Sequence, residues 1–296
     1  IGTPGHMSIL DRRSNSFTNY QIARGPNQPQ RDINIFRSYL DSKNNLWIGT
    51  QGRGVQKWNK EHNSFEIVPI QLRVDETDSL TAAQNSAVLA MTELKNGNFL
   101  IASFNGGIHF YNENLKQFEQ YTLAGNEQPL SVAEIFEDRG SNIWFTGLNK
   151  IIQYNPITFK YVEINKWKEI ENSAAETYFW HIDELDDGTL FFNSIPLGMC
   201  KYSPSTGDFK QVVIEGDLGE RGVGKFPASK FKDKFGVYWV GLADNGILKF
   251  DPARKPFRFY SLNDNQVNQN ELAFVRSIKA NYDRKDELLV ATNKNG

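Results

Sequence analysis

One short pattern returns along the 296-residue chain and limits its fold more than any other feature. Internal repeats of this kind dictate architecture, because each copy must fold as one similar unit. The clearest copy is Asn45-Leu46-Trp47-Ile48-Gly49-Thr50. It is echoed at Asn98–Ser103, Asn142–Gly147, Thr189–Ser194, Val237–Leu242 and Glu287–Thr292, while Ile1-Gly2-Thr3 reads as the tail of a seventh copy. The ring or leucine positions Trp47, Leu100, Trp144, Phe191, Trp239 and Leu289 stand 53, 44, 47, 48 and 50 residues apart. Other features keep the same phase. Eleven or twelve residues on from these positions stand turn formers, among them Asn59, Asn112, Asn155, Ser203 and Asp251, with Asp11 in the partial first copy. Phe17, Phe65, Phe118, Phe209 and Phe257 come six residues later, with Phe159 only four residues on in the fourth copy, which implies a tighter turn there.

Each copy reads as four short strands. An acidic or polar turn such as 41–44 or 138–141 separates the first two, a Gly-rich turn such as 52–54 leads to the third, and the fourth carries the Phe. A repeated four-stranded antiparallel unit of about 48 residues is a propeller blade. The chain is therefore expected to be all-β, a single propeller over 1–296, with blades at about 1–20, 33–68, 86–121, 131–162, 178–213, 226–260 and 272–296. Seven blades with the first and last incomplete is the favoured count, as a fragment of a longer array. Six closed blades is the alternative, and it leaves 1–3 redundant. The rings of Trp47, Trp144 and Trp239 fill the space between blades, and small residues two positions on, such as Gly49, allow close approach. The 13% aromatic content results from this design.

A net charge of −2 without a basic stripe argues against nucleic acid, and no apolar run is long enough for a membrane span. Cys200 has no partner, which excludes an intrachain disulfide and a cysteine-based zinc motif. The four histidines fall in different copies without metal-ligand spacing, so neither metal nor cofactor is expected. The chain starts within a repeat, so any targeting segment is expected outside it.

Asp41-x-x-x-Asn45-Leu46-Trp47-Ile48-Gly49-Thr50-x-Gly52-x-Gly54-Val55, with Asn59 and Phe65 after it, resembles the two-component regulator propeller repeat. The likeness extends over the whole chain and is weakest at 186–209, where Phe191 replaces Trp and Asn193 replaces Gly. The resemblance implies the periplasmic sensor of a hybrid two-component histidine kinase and response regulator, responding to oligosaccharides in polysaccharide use. It also implies a neighbouring propeller and a β-sandwich in the same chain, and a homodimeric parent receptor.

In such a scaffold function concentrates on the loops leading into the inner strands, here 21–33, 69–85, 122–131, 164–178, 213–226 and 261–272. Ten residues before each ring position stand Arg37, Ala90, Glu134, His181, Ser229 and Lys279. If that position faces the channel, Arg37, Glu134, His181 and Lys279 form a mixed polar ring. Tyr178-Phe179-Trp180-His181 is the most anomalous stretch, and Tyr178, Trp180, His181, Arg37 and Arg276 could together offer rings and planar donors to a sugar. The competing reading packs Trp180 between blades and leaves the charges as a self-neutralising lining. No catalytic residue is assigned. A noncatalytic sensor is the leading function, with a glycan lyase or hydrolase using Glu134, His181 and Arg37, and a protein-interaction scaffold, as alternatives.

Overall fold

Runs of five or six β-branched and aromatic residues, each broken by Asp, Asn or Gly, leave room only for hairpins. A computed structural model shows the chain folding as a series of them. It describes residues 2–3, 5–24, 34–71, 87–103, 106–121, 123, 131–170, 176–212, 227–242, 246–250, 258–260, 275–280 and 287–292.

A three-stranded sheet comes first, β1 (Gly2–Thr3), β2 (His6–Asp11) and β3 (Ser16–Gln21). Five four-stranded antiparallel blades come after it. They are β4 (Ile35–Leu40) to β7 (Ser64–Val68), through β5 (Leu46–Thr50) and β6 (Val55–Asn59); and β8 (Val88–Glu93) to β11 (Gln117–Tyr121), through β9 (Phe99–Ser103) and β10 (Gly107–Asn112). The third is β12 (Glu134–Glu137), β13 (Ile143–Gly147), β14 (Lys150–Asn155) and β15 (Lys160–Glu163). The fourth is β16 (Tyr178–Glu184), β17 (Leu190–Ile195), β18 (Gly198–Ser203) and β19 (Asp208–Gln211). The fifth is β20 (Pro227–Lys232), β21 (Tyr238–Leu242), β22 (Gly246–Phe250) and β23 (Arg258–Tyr260). A two-stranded sheet, β24 (Val275–Ala280) and β25 (Leu288–Thr292), ends the series. Five blades are complete, in place of the expected seven or six. The first sheet has no leading strand and the last has no outer hairpin among the described residues. No α-helix occurs among the described residues; the one helical turn is the 3-10 segment Lys166–Glu169.

The chain divides into two compact units, residues 1–163 and 164–296. In the first unit, consecutive sheets are joined by three cores. Met7 and Ile22 pack with Ile48 and Phe65; Trp47 and Val55 pack with Val88, Phe99 and Phe118; Leu100 and Ile108 pack with Ile135, Phe145 and Tyr154. In the second unit Phe191 and Met199 meet Val240 and Leu248, and Ile247 meets Val275 and Ile278. Burial of each large side chain contributes about 2 kcal/mol, so the faces between sheets carry most of the stability. This is the stacking of propeller blades.

The turn between the first two strands of a blade does more than reverse the chain. Asp41 accepts the Trp47 indole N–H at 2.8 Å, Asp138 that of Trp144 at 2.8 Å, and Asp233 that of Trp239 at 3.0 Å. In the two complete blades that lack the indole the acid is missing too: Leu94 stands at that turn position in the blade of Leu100, and Leu185 in the blade of Phe191. The carboxylate is present where a buried indole needs an acceptor. A second set of acids joins consecutive blades. Glu93, at the end of β8, accepts the Ser42 backbone N–H at 2.7 Å and its hydroxyl at 2.6 Å. Glu137, at the end of β12, accepts the Lys95 N–H at 2.6 Å.

One expectation about the outer strands is corrected. Tyr161, six residues past Asn155, pairs with Tyr154 as Phe65 pairs with Trp58, so the fourth copy has no displaced ring. Phe159 instead occupies the turn at φ 55° and is exposed.

Close approach at the small residues is a hard limit. A Cβ on Gly147 would lie 2.2 Å from the Ser131 carbonyl oxygen, a backbone atom that cannot swing aside. Gly147→Ala should therefore cost about 2–3 kcal/mol by forcing the end of β13 away from its neighbour. A urea midpoint equal to that of the parent chain would refute this.

Candidate functional site

The leading strands begin at the end of the blade where the second strands finish. There, β4, β8, β20 and β24 each carry a bulge, between Ile35 and Arg37, Val88 and Ala90, Pro227 and Ser229, and Val275 and Ser277. A bulge adds one unpaired residue and re-aims the side chains beyond it. The residues just past it, Arg37, Ala90, Ser229 and Ser277, face Gly49, Ala102, Gly241 and Ala291 across the sheet. Glu134 faces Thr146 in the same way.

In the first unit this register brings two expected residues together. Arg37 Nη2 lies 3.5 Å from Glu134 Oε2, although β8 separates their strands in the series. The buried methyl of Ala90 is all that β8 places at this level, which leaves the arginine room to cross. The guanidinium also donates to the Phe36 carbonyl at 3.3 Å. Both side chains are roughly one-third exposed, so the pair is a solvated contact worth about 0–1 kcal/mol.

In the second unit β16 departs from the pattern. Its bulge falls later, between Trp180 and Asp183, and His181 sits within it at φ 51°, a left-handed conformation that a residue with a Cβ adopts at a cost. As a result Trp180, not His181, stands opposite the second strand at the level of Arg37, facing Asn193. Tyr178 and Trp180 lie on one face with ring centroids 5.6 Å apart, and both are partly buried. Phe179 points the other way into a ring cluster with Trp167, Phe192 and Phe209. The Asn193 amide nitrogen lies 3.2 Å from His181 Nδ1. The amide N–H donates there, which makes Nδ1 the acceptor. Asp183 pairs with Lys230 of β20 at 3.5 Å, a contact the sequence spacing did not reveal.

The other expected residues lie farther along the series or beyond the described side chains. Lys279 faces Leu289, two residues beyond the level of Arg37, and Ser277 takes the position assigned to it. The turn after β24 is two residues longer than counting back from Leu289 assumes. Arg276 lies on β24, and its side chain falls outside the described residues. So do most of the loops leading into these strands, at 25–33, 72–86, 124–130, 213–226 and 261–274. Asn193 is the site residue that strand counting passed over. Its signal was an amide where other copies hold Gly, Ala or Thr.

Chemically, the cluster offers rings, an imidazole and an amide. Among the described residues no group of His, Cys, Asp and Glu is arranged to hold a metal ion. Burial pushes the Cys200 thiol up to about 12, against a smaller opposing effect of its bond to Ser194, so it is not a thiolate nucleophile. No helix among the described residues is long and apolar enough to cross a membrane.

No family model and no curated protein matches the chain. Its fold is similar to that of the extracellular domain of the hybrid two component system BT4673 from B. thetaiotaomicron, with TM-score 0.67 and 15% identity over 99% of this chain. It is equally similar to a streptogramin B lyase, with TM-score 0.66 and 19% identity over 98% of this chain. A catalytically inactive virginiamycin B lyase from Staphylococcus aureus, solved with quinupristin, gives 0.66 and 16% over 98%. The chain spans 40% of the BT4673 domain and 84% and 85% of the two lyases. At these identities the likeness is one of fold.

Proposed function

We propose that the chain is a noncatalytic ligand-binding propeller of a periplasmic two-component sensor, and that it responds to oligosaccharides. The observation that carries this reading is the ledge of Tyr178 and Trp180 beside His181 and Asn193 at the start of β16. Aromatic faces take the C–H groups of a sugar ring, and fixed planar polar groups take its hydroxyls. The fold shared with the BT4673 extracellular domain supports the sensor role. In this reading the three-stranded and two-stranded sheets are incomplete blades of the same kind as the five complete ones. The parent chain also holds a neighbouring propeller and a β-sandwich, and it acts as a dimer.

Trp180→Ala should leave the melting temperature within about 3 °C of the parent and weaken oligosaccharide binding by about tenfold or more. Tryptophan fluorescence titration together with thermal unfolding reads both. Equal affinity in the variant would remove the ledge from the site.

A second reading is a lyase. It is favoured by the fold shared with streptogramin B lyase over 98% of this chain and 84% of that one. Turnover of a streptogramin B or of a polysaccharide by the purified chain would establish it in place of the sensor.

A further inference from the structure

We propose that the outer hairpin tip of the third blade, residues 156–160, docks on a lipid surface carrying anionic headgroups. Ile157 and Phe159 enter the boundary of the acyl chains, and Arg139 and Lys160 meet the headgroups. The inference is separate from the ledge of β16 and stands or falls without it.

The repeat supplies its own controls. Five outer hairpins close with four-residue loops, between Asp11 and Ser16, Asn59 and Ser64, Asn112 and Gln117, Asn155 and Lys160, and Ser203 and Asp208. The fourth loop residue is left-handed in each. Asn15, Asn63, Lys116, Phe159 and Gly207 have φ 50°, 52°, 53°, 55° and 74°. Asn and Gly suit that conformation, whereas a bulky ring takes it at a cost. The second loop residue is polar in four copies, Arg13, Glu61, Asn114 and Ser205, and is Ile157 in the third blade. Burial compensates neither choice, since Ile157 is 79% and Phe159 64% exposed.

The tip is also fixed. Asn155 Oδ1 accepts the Ile157 and Thr158 backbone N–H groups at 3.0 and 2.9 Å. Asn155 Nδ2 donates to Asn142 Oδ1 at 2.9 Å, which ties the loop to the turn that carries Arg139. Little freedom is then lost on docking. The exposed charge of this loop and turn has one sign. Arg139 and Lys160 are exposed, while Asp138 is buried against Trp144 and the partly buried Glu137 accepts the Lys95 N–H. The loops of the first three sheets mix signs, with Asp11 beside Arg12, Lys60 beside Glu61, and Glu113 near Lys116. Apolar side chains bordered by cations match the boundary between acyl chains and anionic headgroups. The area argues against a protein partner. The two side chains expose on the order of 300 Å², where each side of a stable protein interface gives roughly 800 Å². A lipid surface needs no matching patch, and lying on it needs no membrane-spanning run.

The test uses the 296-residue chain and two kinds of vesicle, phosphatidylcholine alone and phosphatidylcholine mixed equally with phosphatidylglycerol. Binding is read by co-sedimentation, folding by thermal unfolding and assembly by analytical ultracentrifugation. The parent chain should bind the mixed vesicles about tenfold more strongly than the neutral ones. Phe159→Asn installs the residue found in two other loops, so it should keep or raise the melting temperature. It should also weaken binding to the mixed vesicles by about tenfold, and Ile157→Ser should weaken it in the same direction. Lys160→Gln should lower binding to the mixed vesicles about fivefold and leave the neutral ones unchanged. No binding of the mixed vesicles by the parent chain, or equal binding of both kinds, would overturn the proposal. So would parent-like binding in both Phe159→Asn and Ile157→Ser, which places the contact elsewhere. A parent dimer that Phe159→Asn dissociates would give the tip to a second copy of the chain instead of lipid. A fall of more than about 5 °C in Phe159→Asn would make the ring part of the fold, and that too would overturn the assignment.

Discussion

Asp138→Leu is expected to lower the stability of the chain by about 4 kcal/mol, a large effect for a turn residue. The carboxylate accepts the Trp144 indole N–H at 2.8 Å and the Asn142 backbone and side-chain N–H groups at 2.8 and 2.9 Å. Trp144 is completely buried, so without Asp138 its N–H has no route to water. A stranded buried donor costs about 1–3 kcal/mol, and the lost bonds to a charged acceptor add a similar amount. The chain itself supplies the control. Leucine already occupies this turn position in the blades of Leu100 and Phe191, where no indole needs an acceptor. Asp138→Leu combined with Trp144→Phe should therefore cost at least about 1 kcal/mol less than the two changes summed, measured as a double-mutant cycle in urea. Strict additivity would sink the idea that acid and ring act as one device. Acid should weaken the same device at Asp41. Burial alone would raise its pKa, but bonds from Trp47, Asn45 and Lys43 outweigh it and hold the group below 3.8. The stability it contributes is full above 3.8 and is lost as pH falls below that value.

The second large effect is a mild-acid loss of stability centred on His109. This histidine lies on β10, is almost wholly buried, and has an Nδ1 without a partner among the described residues. Burial pushes its pKa from 6.5 down to about 4, while a hydrogen bond with the Gln71 backbone opposes the shift only in part. The unfolded chain takes up a proton below 6.5 that the folded chain refuses until about 4. The stability conferred by the neutral ring is thus complete above 6.5 and drains away between 6.5 and 4, by about 3 kcal/mol. Chemical denaturation of the parent chain at about pH 7.5 and about pH 5 should differ by about 2 kcal/mol from this group. His109→Gln, which cannot titrate, should remove that difference. A variant that keeps the full pH dependence would place its origin elsewhere.

The phase of the strands was legible because side chains declare it. Rings, small residues and turn formers recur in step, and the observed sheets keep that step from Gly2 to Thr292. The bulges were not legible. An extra residue in one strand leaves no mark in composition, so counting back from Phe191 chose His181 where pairing places Trp180. Counting back from Leu289 chose Lys279 where pairing places Ser277, because more residues separate the paired strands there. Counting picked out both Arg37 and Glu134, but their meeting past β8 depends on the methyl of Ala90, which counting alone could not weigh. Asn193 was visible as a replaced glycine. Its contact with His181 was not visible, because it depends on the displaced bulge of β16.

The acids at the turns and those at the strand ends act on different parts of the energy of a repeat array, which divides into what each unit holds by itself and what adjacent units hold jointly. Asp41 and Asp138 fasten a ring inside its own blade. Glu93 and Glu137 reach back to the turn of the blade before. The first kind sets how well one blade holds alone; the second sets how strongly its neighbour's unfolding is felt. Glu137 and Asp138, adjacent and chemically similar, therefore govern cooperativity and local strength separately.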